Sequence, residues 1–330
     1  THTKVLQTKI NSLFREAPAR PSSYILVDER LLHVGTHINF NIYFHDIFTQ
    51  MSLFLQAGTV INQKHKERLQ EIEQLFVHAN EKNKYEHFVE EQLQHVLEDS
   101  SIDFEEKADI IYSSTSELTN SLYENPSALE NTQRSKKIVK PILHSIIHNE
   151  DTIKSFIKII AYDYYTHTHS LNVSIYALCL GAELGLNAHE LNSLGRAALL
   201  HDIGKSNIDH NIVNKTGVLS QAEFDAMKTH PALGYDIALD IGIEEKNILD
   251  GIRHHHEKLN GMGYPDRLAG SQITLFARII GICDVFDALT TQRSYKKALT
   301  SYEAIYLMKT DMHAHLDMSI VDVFIKMLHE

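Results

Sequence analysis

The hydrophobic pattern of the chain changes period once, near residue 82. Before that point apolar residues come in short runs and alternations. Tyr24-Ile25-Leu26-Val27 reads as a strand, and Asn39-Phe40-Asn41-Ile42-Tyr43-Phe44 alternates polar and apolar as a half-buried strand does. Ser52 to Ile61 suggests a further strand with a turn at Gly58. Gln63 to Ile72 is charged with helical spacing, and Gln74-Leu75-Phe76-Val77-His78 reads as a short apolar end piece. Residues 1–22 hold Ala17-Pro18-Ala19-Arg20-Pro21, the signature of a loop or entry arm. Residues 1–82 are expected to form a small β-rich module.

From Tyr85 the spacing is helical. Tyr85, Phe88, Val89, Gln92, Leu93, Val96 and Leu97 mark one face, and helices follow over Glu105 to Leu122 and Ser135 to Ile147, broken at Asn125-Pro126. Pro141 is expected to kink or start a helix. Residues 83–150 thus read as a helical connector, and also as a possible homodimer interface. Residues 151–330 are helical throughout. The predicted helices are a segment ending near Leu184, then Ala188 to Leu200, Pro231 to Asp240, Glu244 to His256, Ile273 to Leu289, Ser301 to Met312 and Ser319 to Leu328. Ser220 with Glu223 marks a capping box ahead of Lys228. The Gly-rich turn Asn260-Gly261-Met262-Gly263-Tyr264-Pro265 lies between two of these helices. The fold class is mainly α, with a β-rich module ahead of a helical bundle.

Composition narrows the chemistry. A chain of 330 residues suits about two domains. The net charge of −12 argues against duplex nucleic acid as a partner, so an anionic ligand needs locally placed Lys, Arg or metal. The two cysteines, Cys179 and Cys283, lie in apolar helical patterns, which points to core packing and excludes a disulfide framework. With no long apolar run and no signal-peptide pattern, the expected compartment is the cytoplasm, with no membrane partner. The chain begins at Thr1 without Met, which leaves room for a leader or anchor ahead of it.

Histidine is the composition's outlier, with 22 copies. The stretch Leu199-Leu200-His201-Asp202-Ile203-Gly204-Lys205 pairs a His-Asp dipeptide with a lysine three residues on. His45-Asp46 is an internal control, since it has no such company. His169, His201, Asp202, His230, His255, His256 and Asp284 come from different predicted helices or helix ends, and a bundle can bring such side chains to one interior site. Imidazoles with two carboxylates suit Fe, Mn, Zn or Ni, and the lack of thiolate argues against a structural zinc site. Seven donors exceed one tetrahedral ion and fit two ions, with Asp202 able to bridge them. Two metals about 3.5–4 Å apart are the usual clamp for phosphoryl displacement. Successive helical residues diverge by about 100°, so His254 is a bystander, and His167, about 200° round the helix from His169, is another. Asp287, one turn beyond Asp284, reads as a supporting or structural residue.

These stretches carry a family resemblance. Residues from about 160 to 330 resemble an HD-GYP domain, a branch of the HD superfamily of metal-dependent phosphohydrolases. The matches are His169-Ser170, His201-Asp202-Ile203-Gly204-Lys205, Lys228-Thr229-His230-Pro231, His255-His256-Glu257 with Gly261-Met262-Gly263-Tyr264-Pro265, Asp284-Val285-Phe286-Asp287-Ala288-Leu289, and Arg293-Ser294-Tyr295-Lys296. The N-terminal half is similar to accessory or sensory regions found ahead of such domains.

The resemblance implies hydrolysis of a 3′,3′-cyclic dinucleotide, cyclic di-GMP or cyclic GMP-AMP, to a linear product in bacterial second-messenger signalling. A metal-bridging hydroxide would be the nucleophile. The seven donors would bind metal, Asp202 and Lys205 would serve catalysis, and Arg293, Lys296 and Tyr264 would hold or shape the substrate site. Some members place a Glu four residues before the first His to supply a third metal. Tyr165 stands there in this chain, so two divalent ions are expected, with Fe, Mn or Ni favoured. Asn260 replaces a common Asp, which touches loop geometry or base preference. Two rival readings are an HD hydrolase of other phosphate esters and a noncatalytic scaffold that binds cyclic dinucleotide.

Overall fold

The computed structural model describes residues 23–46, 50–69, 71–148, 150–162, 168–291 and 298–329. The chain divides into two compact units after Gln92.

In the first unit the predicted strands form, at Tyr24–Val27 (β1), Ile42–His45 (β2) and Met51–Leu55 (β3). The segment Leu75–His78 (β4), expected as an end piece, is a fourth strand. It lies inside the sheet, whose order is β1-β4-β2-β3 with every pairing antiparallel. Tyr24 pairs with His78 on one side of β4, and Tyr43 with Phe76 on the other. Leu75, Phe76 and Val77 are all buried, so this strand shows no alternation. A short helix, Gln63–Leu69 (α1), precedes it. Helix Lys82–Glu98 (α2) sets Tyr85 and Phe88 edge-on against Phe40 at 5.5 and 5.2 Å, closing this unit's core.

The control dipeptide ends β2. The His45 ring rests 5.1 Å from Phe76, and Asp46 accepts hydrogen bonds from Gln50 N and Ser52 Oγ. Both side chains are committed to the sheet and its turn.

The second unit is helical. Phe104–Glu124 (α3) starts on an Asp103 cap whose carboxylate accepts Glu106 N at 2.8 Å. Asn131–His148 (α4) runs on through Pro141 rather than starting there. Glu150–Tyr162 (α5) follows. His169–Glu183 (α6) is buried on every side from Ser170 to Gly181, as its nearly continuous apolar sequence requires. Ala188–Leu200 (α7) packs along it.

The short helices His210–Val213 (α8) and Gln221–Met227 (α9) lead to His230–Asp240 (α10) and Lys246–His254 (α11). The Ser220/Glu223 capping box is formed at the start of α9. Leu275–Thr290 (α12) packs on α6 and α11, and Ser301–Thr310 (α13) and Met318–His329 (α14) complete the unit. Cys179 and Cys283 are unpaired and buried in this core. No helix among the described residues is long and apolar enough to cross a membrane.

Candidate metal centre

Most of the predicted donors stand at helix ends, where a side chain can turn inward without breaking a backbone ladder. Helix α7 opens on a capping box between Asn187 and Glu190 and closes at His201, so Asp202 is the residue that follows. His169 and His230 are the first residues of α6 and α10. Pro231 sits in the first turn of α10, where a missing N–H loses nothing. His255 follows the last residue of α11, and Asp284 projects from within α12.

All seven converge. The donor atoms of Asp202, His230, His255 and His256 lie within 4.8 Å of one another, and so do those of His169, His201 and Asp284. The two carboxylates face both groups. Asp202 sets Oδ1 3.2 Å from His230 Nε2, while Oδ2 lies 3.4 Å from His201 Nε2 and 3.7 Å from His169 Nε2. Asp284 sets Oδ1 3.1 Å from His169 Nε2 and Oδ2 3.8 Å from His256 Nδ1.

The imidazoles are oriented from behind. His201, His230 and His255 each donate Nδ1–H to the carbonyl three residues earlier, at 2.7, 2.8 and 2.8 Å. That bond fixes the tautomer and leaves a lone pair on each Nε2. His169 donates Nδ1–H to Asp287 Oδ2 at 2.6 Å, a carboxylate–histidine pair of the kind that supports metal ligands. Asp287 is therefore a supporting residue behind the site.

The inward atoms are left wanting a cation. His230 Nε2 and His255 Nε2 face each other at 3.2 Å, lone pair to lone pair. His201 Nε2 and Asp202 Oδ1 are buried with no hydrogen-bond partner. An unsatisfied buried polar atom costs about 1–3 kcal/mol, and a divalent ion between these atoms removes that cost for several at once. The residues present fit a metal centre.

The electrostatics agree. Burial, reinforced by neighbouring histidines, holds His255 well below the usual imidazole range. Burial also lowers His256, to about 3. Both rings stay neutral and available as ligands at pH 7. Burial opposes ionisation of Asp202, but Lys205, His201 and His230 outweigh it and keep its carboxyl well below its ordinary value. Asp284 is held down in the same way by His169 and His256. His169 moves in the other direction: burial disfavours its charge, yet Asp284 and Asp287 hold it up to about 10 in the metal-free protein.

That shift has a definite sign. An imidazole raised from about 6.5 to about 10 on folding stabilises the metal-free protein fully below pH 6.5, and this contribution disappears as pH rises through 10. Urea unfolding of chelator-treated protein should therefore show the wild-type advantage over His169→Gln shrinking between pH 6.5 and 10. A difference that stays constant over that range contradicts the pairing.

Around the donors, Lys205 Nζ donates to Asp202 Oδ2 from the edge of the site. Tyr264 lies over His256, with ring centroids 4.8 Å apart, and edge-on to His230 at 6.5 Å. Burial, then Asp284 and Asp202, push its phenol upward, so it remains protonated. His254 turns away to Asp266, with Nε2 2.9 Å from Oδ2, which is the bystander position expected of it. Asn260 Oδ1 accepts Met262 N at 3.0 Å, a turn bond that either Asn or Asp can make. Arg293, Lys296, Tyr165 and His167 lie outside the described residues.

One residue that braces the site went unassigned in the sequence. The buried carboxylate of Glu257 accepts Asp266 N at 2.6 Å and Leu268 N at 3.0 Å, pinning the Gly-Tyr-Pro turn to the His-His segment. Gly263 lets the turn approach that segment, since a Cβ there would meet Glu257 Cα at 2.4 Å. The available signal was a carboxylate directly after two ligands and ahead of a Gly-rich turn.

A family model described as HD domain matches residues 154–320. The chain belongs to the HD domain family, and its motifs are those of the HD-GYP branch. A cyclic di-GMP phosphodiesterase of Pseudomonas aeruginosa is 35% identical over 195 residues, covering 59% of this chain and 47% of that protein. The 3′3′-cGAMP-specific phosphodiesterase 3 of Vibrio cholerae is 33% identical over 242 residues, covering 70% and 51%. The chain thus spans about half the length of these curated relatives. The solved structure of an HDG"Y"P protein from Bdellovibrio bacteriovorus matches with a TM-score of 0.67 at 22% identity, covering 93% of this chain and 100% of that one. At that identity the likeness concerns the fold.

Proposed function

We propose that this chain hydrolyses a 3′,3′-cyclic dinucleotide, cyclic di-GMP or cyclic GMP-AMP, to a linear dinucleotide at a two-ion centre. The observation that carries the reading is the facing pair His230 Nε2 and His255 Nε2 within the seven-donor cluster, an arrangement that a divalent ion between them relieves. Asp202, His230, His255 and His256 would hold one ion, and His169, His201 and Asp284 the other, with Asp202 reaching both. Iron, manganese or nickel suits such a set. When bound, the ions supply Lewis acidity toward a phosphate and its attacking water. Two relatives named as phosphodiesterases of cyclic di-GMP and of 3′3′-cGAMP support the substrate class.

The protein's own groups do the rest. Nδ1–H bonds to carbonyls hold three imidazoles in the ligating tautomer. Lys205, beside Asp202 and partly open to solvent, is placed to donate to a phosphate oxygen as charge develops. Tyr264, neutral and tilted over His256, presents its ring beside the donors. Arg293 and Lys296 would hold the substrate's phosphates, the Arg through a two-bond fork.

Metal-loaded protein incubated with cyclic di-GMP, 3′,3′-cyclic GMP-AMP and cyclic di-AMP, with products followed by chromatography, tests the reading. Tight binding without turnover would favour a scaffold instead. Lys205→Ala should lower kcat by about 10²–10³-fold while metal content stays at the wild-type level, because the lysine is not a donor. Unchanged turnover in that variant removes Lys205 from the mechanism.

A further inference from the structure

Resting on the metal-centre reading above, we propose that Tyr112 and Tyr123, both on α3, are positioning residues that set the orientation of His169 and of the His201-Asp202 turn. The helix carrying them lies ahead of the segment matched by the family model, which begins at residue 154.

The first line of contact is a chain of four groups. Tyr112 Oη donates to Asn172 Oδ1 at 2.7 Å. Asn172 Nδ2 donates to Asp287 Oδ1 at 3.1 Å, and Asp287 Oδ2 accepts His169 Nδ1–H at 2.6 Å. Tyr112, Asn172 and Asp287 are all buried. The direction of the chain is fixed by donor arithmetic. Asp287 is acceptor-only, so Asn172 must turn its NH₂ toward it. Its carbonyl oxygen then needs a donor, which Tyr112 supplies. With both carboxylate oxygens of Asp287 engaged, the ring of His169 is held with Nε2 aimed at Asp202 and Asp284.

The second line starts one helix end away. Tyr123 Oη donates to Leu199 O at 2.9 Å and lies 2.8 Å from Ser170 Oγ, which can donate to it in turn. Ser170 is the neighbour of His169, and Leu199 lies two residues before His201. One hydroxyl therefore ties together the starts of two ligand-bearing stretches. Outer partners of metal ligands commonly change affinity 10–100-fold when removed. Two groups, Asp287 and Asn172, separate Tyr112 from His169, so its effect belongs at the lower end.

The test uses the full chain. Tyr112→Phe and Tyr123→Phe keep the buried rings and remove only the hydroxyls. Asp287→Asn is the positive control, and Tyr306→Phe, on an exposed position of α13, is the neutral one. Three readouts are taken: Co(II) affinity by chelator competition, the visible spectrum of the Co(II)-loaded protein, and the melting midpoint of the metal-free protein. The expected result is Co(II) binding weakened by about ten-fold in each tyrosine variant, with an altered ligand-field spectrum. A merely structural role would lower the metal-free midpoint and leave the spectrum as in wild type. The proposal is overturned if Asp287→Asn changes affinity while both tyrosine variants bind Co(II) with wild-type strength and spectrum. Failure of the wild-type chain to take up Co(II) would instead overturn the metal centre itself, and this proposal with it.

Discussion

Replacing His201 and Asp202 together with alanine is expected to abolish both metal retention and the proposed hydrolysis of cyclic dinucleotide. The pair contributes to both donor groups at once. His201 belongs to the group with His169 and Asp284, and Asp202 holds one oxygen toward His230 and the other toward His201 and His169. Losing the pair leaves His230, His255 and His256 as neutral donors with no carboxylate of their own group. It also strands Lys205 without its partner. The loss in turnover should exceed about 10³-fold, a barrier increase of about 4 kcal/mol. Elemental analysis after gel filtration reads the metal and chromatography of the products reads the activity. A double variant that retains wild-type metal content and turnover would falsify the assignment of the centre.

The second large effect is expected at Gly204, within the same stretch. The short 3-10 helix Ile203–Asn207 lies directly against α10. A Cβ built on Gly204 would fall 2.0 Å from His230 O and 2.4 Å from Gly234 N. Both are backbone atoms, so no rotamer change relieves the clash, and α10 has to move. Gly204→Ala should therefore destabilise the chain by roughly 3–5 kcal/mol, at or beyond the upper range for overpacking. It should also weaken metal binding, because His230 opens the helix that is displaced. Gly217→Ala is the control, since nothing lies within 4 Å of a Cβ there. Thermal melts of both variants, with and without added metal, separate the two consequences. If Gly204→Ala melts with wild type and binds metal normally, the close approach of α10 is not what places His230.

Most of the helical unit was legible because its signals are local. Helical spacing located α7, α10 and α12, and a capping pair located the start of α9. The donor set was legible because histidine is abundant and the His-Asp stretch has His and Asp company on other helices, and helix ends turned these residues to one point. The Tyr112–Asn172–Asp287 chain was not legible. On α3 a tyrosine at an apolar position reads as core, and only the fold shows that its hydroxyl meets an amide on α6. The strand β4 was missed for another reason. A strand buried on both faces shows no alternation, and Leu75-Phe76-Val77 is a short apolar run that periodicity alone does not classify.

The place of β4 in the sheet has a consequence for how the first unit is made. In the order β1-β4-β2-β3 the last strand to be synthesised fills the gap between the first two. Strands β2 and β3 can pair as soon as they emerge from the ribosome, since they are near neighbours in sequence. Strand β1 has no partner in this sheet until His78 has been made. A nascent chain stopped between Leu55 and Leu75 carries a hairpin and a lone apolar strand with exposed backbone edges. The unit therefore closes late and over long sequence separations, which slows folding relative to the local helix pairs of the second unit. Fragments ending before residue 75 should be captured by chaperones or aggregate, whereas those extending to α2 can complete both the sheet and the Phe40 cluster.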